Sequence, residues 1–167
     1  DKYKLTEIAK KYDVLIPEII NIDDDNIYER VAKELKYPCI VKPKDSPTFV
    51  NKYREKAIFI RNERELKRVV EMCRNDKMDV FIQRIIPGPE QNNYNFDAYM
   101  TQDGKVAYYT TEYKIRQWPI NFGASTVAAQ KWIPEAAELS IPFLEAIGFK
   151  GFVEVEMKRD ENNGKIY

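Results

Sequence analysis

The 167-residue chain has no histidine, two cysteines, six glycines and no net charge, with 27 Lys+Arg set against 27 Asp+Glu. Without histidine, imidazole acid–base catalysis and the common zinc sites are excluded within this segment. Cys39 and Cys73 have no metal-like spacing, and as lone thiols in apolar contexts they fit a reducing cytoplasm rather than a disulfide framework. A balanced chain has no global field to draw in nucleic acid or an anionic membrane, so neither partner is expected; any bound anion must be held by a few well-placed cations. No GxxxxGK[ST] phosphate loop occurs anywhere. There is no signal-peptide pattern and no apolar run of the roughly 18 residues that a membrane span requires, and the expected location is the cytoplasm. Internal repeats, low-complexity stretches and Gly/Ser linkers are also missing.

What is present is a chain with 44% apolar and 32% charged residues, enough apolar content for a real core. Leu5, Ile8, Ala9 and Tyr12 recur at helical spacing, so residues 1–12 read as an amphipathic helix. After a short connection ending at Pro17, the acidic run Asp23-Asp24-Asp25 is expected to cap a helix from Asn26 to about Lys36, with Ile27, Tyr28, Val31, Ala32 and Leu35 as its apolar stripe. Pro38 to Val41 reads as a short buried strand running into Lys42-Pro43, and Lys56 to Ile60 as the next, covered on both faces. Asn62 and Glu65 form a capping-box-like start to a helix that buries Leu66, Val69, Val70 and Cys73. Asp79 to Gln83 is a strand broken by Pro87-Gly88-Pro89. A hairpin follows around Asp103-Gly104, from 93–101 to 105–116. A helix starts near Pro134, with Pro142 either kinking it or marking a new turn. Gly151 to Lys158 alternates, with Val153, Val155 and Met157 on one face and Glu154, Glu156 and Lys158 on the other. This order predicts an α+β fold of two lobes with mostly antiparallel sheets, residues 1–79 and 80–167, and a ligand at their junction.

Several residues have a chemical use as well as a plain one. Lys42 ends an apolar strand, either as a lysine leaving the sheet for solvent or as a point charge aimed at phosphate. The polar stretch Lys44-Asp45-Ser46-Pro47-Thr48 after it is read as a loop able to cover phosphates. Glu154 and Glu156 put two carboxylates on one strand face, either a solvated outer face or hard oxygen ligands for magnesium, which normally also binds substrate phosphates. Between Gln83 and Glu90 a strand turns sharply. Freed backbone groups there can meet a base edge, Ile85 and Ile86 can pack on its ring, and Glu90 can accept from ribose hydroxyls; the plain alternative is a Pro-Gly turn with a surface glutamate. Lys114 and Arg116, at i and i+2, are expected to share a strand face, as a double cation or as a pair of exposed edge charges.

Four stretches in order resemble the ATP-grasp superfamily: Asp1-Lys2, Tyr37-Pro38-Cys39-Ile40-Val41-Lys42-Pro43, Phe81 to Glu90, and Gly151 to Asp160. Within that superfamily, Lys114-Ile115-Arg116-Gln117-Trp118-Pro119, Phe122-Gly123 and Glu154 to Asp160 resemble carboxylate–amine ligases related to D-aspartate ligase and short relatives of the carbamoyl-phosphate synthetase large subunit. The resemblance implies ATP and Mg2+ as cofactors. Lys2 and Lys42 would meet ATP phosphate, Gln83, Arg84, Ile85 and Ile86 would form the adenine hinge, Glu90 would hold the ribose, and Glu156 would carry the first magnesium ligand. Lys114 or Arg116 would face the terminal phosphate or the substrate.

The implied activity is activation of a carboxylate as an acylphosphate, followed by its joining to an amine. No covalent protein nucleophile is needed, in keeping with the missing histidine. The family's apolar-Glu-x-Asn strand and the domain that normally precedes Asp-Lys are not present, so the sequence reads as a truncated fragment, inactive alone, whose partners include missing flanking domains of the same chain. The family's glycine-rich loop is also missing between Asp45 and Lys56. Other readings are a non-catalytic nucleotide-binding module, carboxyphosphate chemistry of the carbamoyl-phosphate synthetase kind, and an α+β interaction domain with no ligand.

Overall fold

Hydrophobic periodicity organises the chain into two antiparallel four-stranded sheets, each with its own helices and core. The computed structural model describes the backbone of residues 2–118 and 123–167, with side chains from Thr6 onward. Asp1, the Lys2 side chain, Pro119 and Phe122 lie outside the described residues. Two compact units emerge, Asp1–Glu7 with Ile16–Ile85, and Ile8–Leu15 with Ile86–Tyr167. The change of unit after Ile85 leaves the whole of the 79–84 strand in the first unit. No helix among the described residues is long and apolar enough to cross a membrane.

Helix α1 (Lys2–Lys11) belongs to the first unit up to Glu7 and to the second from Ile8 on; the first unit continues with strand β1 (Ile19–Asn21), helix α2 (Ile27–Arg30), strand β2 (Cys39–Pro43), helix α3 (Ser46–Tyr53), strand β3 (Ile58–Ile60), helix α4 (Glu63–Asn75) and strand β4 (Val80–Arg84). Its sheet order is β1-β4-β2-β3. One sheet face, with Ile20, Val41, Val80 and Ile82, packs against Leu66, Val69, Val70 and Cys73 of α4, as the periodicity predicts. At the start of α4 the Asn62 Oδ1 accepts from the Glu65 N–H at 3.0 Å. The reciprocal contact is displaced by one residue: Glu65 Oε2 accepts from the Arg61 N–H at 2.9 Å. That hydrogen bond, with the Arg61 guanidinium, holds the Glu65 carboxyl below the usual range.

Four expectations for this unit need correction. The Asp23–Asp25 run does not cap α2; Asn26 occupies the N-cap in a left-handed conformation with no side-chain capping bond. The helix then widens into a π turn over Val31–Leu35, closed by the Lys36 N–H on the Val31 carbonyl at 2.8 Å, so Val31 and Leu35 are both buried. The stretch read as a polar loop is helix α3. Pro47 suits its first turn, Phe49 is fully buried, and Tyr53 Oη and Lys52 Nζ each reach Asp76 at 2.6 Å. Ala57 to Ile60 is not covered on both faces, because Phe59 is 37% exposed.

The second unit contains strand β5 (Asn93–Met100), strand β6 (Val106–Trp118), strand β7 (Ala124–Gln130), helix α5 (Pro134–Ala146) and strand β8 (Gly151–Lys158), in sheet order β7-β6-β5-β8. Phe96, Ala98 and Met100 of β5 and Met157 of β8 pack against Ala136, Ala137 and Leu144 of α5. The helix continues past Pro142, whose position is exposed, so no new turn begins there. β7 was not expected from its sequence, nor was β1.

Candidate functional site

In each unit, period-2 alternation turns one sheet face to the core and leaves the other for chemistry. In the first unit, β2 and β4 pair Lys42 with Phe81 and Ile40 with Gln83, and β1 pairs Ile19 with Gln83. Lys42, Gln83, Phe81 and Ile19 therefore share the face away from α4. With Thr6, Ile16 and Pro17 they line a groove of about 130 Å3. Lys42 and Gln83, singled out separately in the sequence, are brought together here. Arg84 forms an ion pair with Glu18 at 3.3 Å, which leaves it as a fastener between β4 and the segment before β1.

After Arg84 the chain passes Ile85, half-buried, and Ile86, 6% exposed, and enters the second unit. Gly88 has φ +126°, and a Cβ there would lie 2.6 Å from the Asn92 side-chain nitrogen. The turn is fixed by Asn92 Nδ2 donating to the Arg159 carbonyl at 3.2 Å and by the Arg159 N–H donating to the Asn92 carbonyl at 2.9 Å. Glu90 opens the 3-10 turn Glu90–Asn92, and its carbonyl accepts from Asn93 Nδ2 at 2.9 Å. Burial lowers the Lys158 pKa; the charges of Glu161, Glu90 and Asp160 oppose this.

The face of the second sheet away from α5 is ordered in rows across β6, β5 and β8. One row is Tyr108, Tyr99 and Phe152; the next Thr110, Asp97 and Glu154; the next Glu112, Asn95 and Glu156. Beyond them, Lys158 of β8 pairs with Asn93. Asn95, 3% exposed, donates from Nδ2 to Glu112 Oε1 at 3.1 Å and to Glu154 Oε1 at 2.6 Å. Lys114, 6% exposed, reaches Glu156 Oε1 at 2.5 Å. Burial, then the charges of Glu154 and Glu112, push the Asp97 carboxyl above the usual range.

The expectation that Lys114 and Arg116 share a face is overturned. The β6–β7 register shifts between Lys114 and Arg116 and again before Gln117. An extra residue at a bulge breaks strict alternation. Lys114 and Gln117 point inward, whereas Ile115 and Arg116 are exposed. Only Lys114 joins the carboxylates. Asn95, Asp97 and Glu112 were missed in the sequence. The signal for Asn95 and Asp97 was the alternation of Asn93, Asn95 and Asp97 with Tyr94, Phe96 and Ala98, which marks a polar face on β5.

Among the described residues, no group of three or more His, Cys, Asp or Glu could hold a metal by itself. Glu156 is a hard oxygen donor with its side chain 64% exposed, which suits an ion that takes one or two protein carboxylates and fills its remaining positions with phosphate oxygens and water.

No family model matches the chain. It is 23% identical over 177 residues to a D-aspartate ligase of Enterococcus faecium (strain Aus0004), covering 99% of this chain and 42% of that protein. The chain thus spans about two fifths of the length of this curated relative. Among solved structures, N5-carboxyaminoimidazole synthetase from Staphylococcus aureus complexed with ADP superposes with a TM-score of 0.70 at 15% identity, over 100% of this chain and 42% of that one. The biotin carboxylase domain of Hydrogenobacter thermophilus 2-oxoglutarate carboxylase, in complex with MgADP, ADP and bicarbonate, gives 0.65 at 20% identity, over 100% of this chain and 38% of that one. The fold is ATP-grasp. The predicted α+β class, with its two largely antiparallel sheets, agrees with this.

Proposed function

We propose that the chain is the nucleotide-binding part of an ATP-dependent ligase that activates a carboxylate and joins it to an amine. The observation that carries this reading is the shared groove of Lys42 and Gln83, two residues far apart in sequence to which the ATP-grasp resemblance gives phosphate and base contacts. The likeness to D-aspartate ligase supports the choice of carboxylate and amine as substrates.

In this reading Lys42 and Lys2 offset phosphate charge, Gln83 to Ile86 meet the adenine, and Glu90 accepts from the ribose. Glu156 would hold part of a magnesium ion's coordination, and the ion would supply charge neutralisation to the phosphates. Lys114 orients Glu156 through their ion pair and adds a cation beside the transferred group. Arg116, on the other face of the bulge, acts on substrate only from outside the carboxylate rows. The substrate carboxylate attacks the terminal phosphorus, giving an acylphosphate and ADP; the amine then displaces phosphate. Positioning and charge neutralisation suffice for the first step, with no protein nucleophile.

The test is a thermal-unfolding series with MgATP. Ligand at about 100 times its Kd adds about 2.7 kcal/mol to folding stability. Lys42→Met and Glu156→Gln should reduce that gain, and an ADP-release assay over acids and amines on the protein with its flanking domains reads the chemistry. No stabilisation by millimolar MgATP in a fully folded chain would remove the nucleotide and the ligase together.

A further inference from the structure

The aromatic end of the second sheet's polar face carries features that nucleotide binding leaves unused. Tyr99 is stacked on Tyr108 at 5.8 Å between ring centroids and tilted against Phe152 at 4.9 Å. Tyr108 and Phe152 nevertheless remain 59% and 77% exposed. Beside them lies a groove of about 410 Å3 whose polar lining is Asp97, Glu154 and Thr110. One row further on, Asn95 is buried, gives its amide hydrogens to Glu112 and Glu154, and keeps a buried Oδ1 with no donor on it among the described residues.

We propose that this groove binds the cationic amine of a small molecule, with Asp97 and Glu154 as its anions and Tyr108 and Phe152 as its walls. Aromatic faces attract ammonium groups within about 6 Å of the ring centroid, and carboxylates take their N–H donors, so rings and acids select the same chemistry. Asp97 is held above its ordinary pKa by burial and by Glu154 and Glu112, a strain that a bound cation relieves. The assignment deepens the ligase reading and rests on it for one point: the amine, once its ammonium proton has passed to a carboxylate of the groove, is the one that becomes acylated.

The experiment is an NMR titration of the 167-residue chain with 1,5-diaminopentane at constant ionic strength, following the Asn95 side-chain amide and the tyrosine rings, with magnesium chloride and sodium chloride as controls. Saturable shifts at Asn95 and Tyr108 are expected. Glu154→Gln should weaken binding about tenfold, as loss of a charge-assisted hydrogen bond does. Phe152→Leu, a change at an exposed position, should weaken it about threefold. No saturable shift, equal affinity in Glu154→Gln, or the same shifts at lower magnesium concentrations would overturn the proposal. A parallel MgATP titration separates the two readings. Amine binding without any nucleotide response supports the groove and removes the ligase. A nucleotide response without amine binding removes the groove alone.

Discussion

Lys114 Nζ lies 2.5 Å from Glu156 Oε1, yet the two side chains differ sharply in environment: the lysine is 8% exposed and the glutamate 64%. The lysine is held within the sheet and the glutamate extends from it, so the pair positions a carboxylate at the surface from a buried anchor. Lys114→Met keeps the aliphatic stem and removes the charge. It should weaken MgATP binding about tenfold or more, because the acid it orients is proposed to meet the metal. The stability loss should stay near ~1 kcal/mol, since solvent already screens the glutamate. Calorimetric titration beside urea unfolding separates the two effects.

Gly88→Ala tests the turn at which the chain changes unit. At φ +126° an added Cβ falls 2.6 Å from Asn92 Nδ2, the group that ties the turn to Arg159. Strain of this kind costs about 1–3 kcal/mol, to be read as a lower urea midpoint with unchanged slope.

Asp97 sets a pH dependence with a definite sign. Its folded pKa is raised by burial, Glu154 and Glu112. The folded state therefore holds the proton more tightly than the unfolded one, and stability falls as pH rises from the ordinary carboxylate value of about 3.9 through the folded pKa. Asp97→Asn removes this penalty. The variant should melt above the wild type at pH 7, and the gain should vanish at pH 3. Melting curves over that range check it, and a constant gain would place the effect elsewhere.

Asn62→Ala removes the acceptor that caps α4. Such caps contribute about 1 kcal/mol. Urea unfolding should show that loss, and Asn62→Ser should restore most of it.

The sequence made α4 and β8 readable because each carries an uninterrupted period over many residues, and β5 and β6 readable because the Asp103-Gly104 turn joins them. α3 escaped because its eight residues carry a single buried anchor, Phe49, among polar neighbours. β1 is too short for a period, and β7 is mostly exposed, so neither shows alternation. The groove residues Lys42 and Gln83 were legible from strand ends and turn chemistry. Arg116 was misplaced because a bulge leaves no mark in residue types, and Asn95 and Asp97 were passed over because neutral and acidic residues on a strand look like an ordinary wet face until neighbouring strands supply Glu112 and Glu154.

The rows across β6, β5 and β8 have a further effect, on how the strands find one another. A slip of two residues keeps every apolar side chain facing α5, so burial alone cannot forbid it. Sliding β8 by two along β5 in one direction sets Glu156 against Asp97 and Glu154 against Tyr99, and in the other sets Phe152 against Asp97. Either shift unstacks Phe152 from Tyr99 and takes Glu156 from its place opposite Asn95. The side chains that give this face its chemistry thus also act as an alignment key during folding.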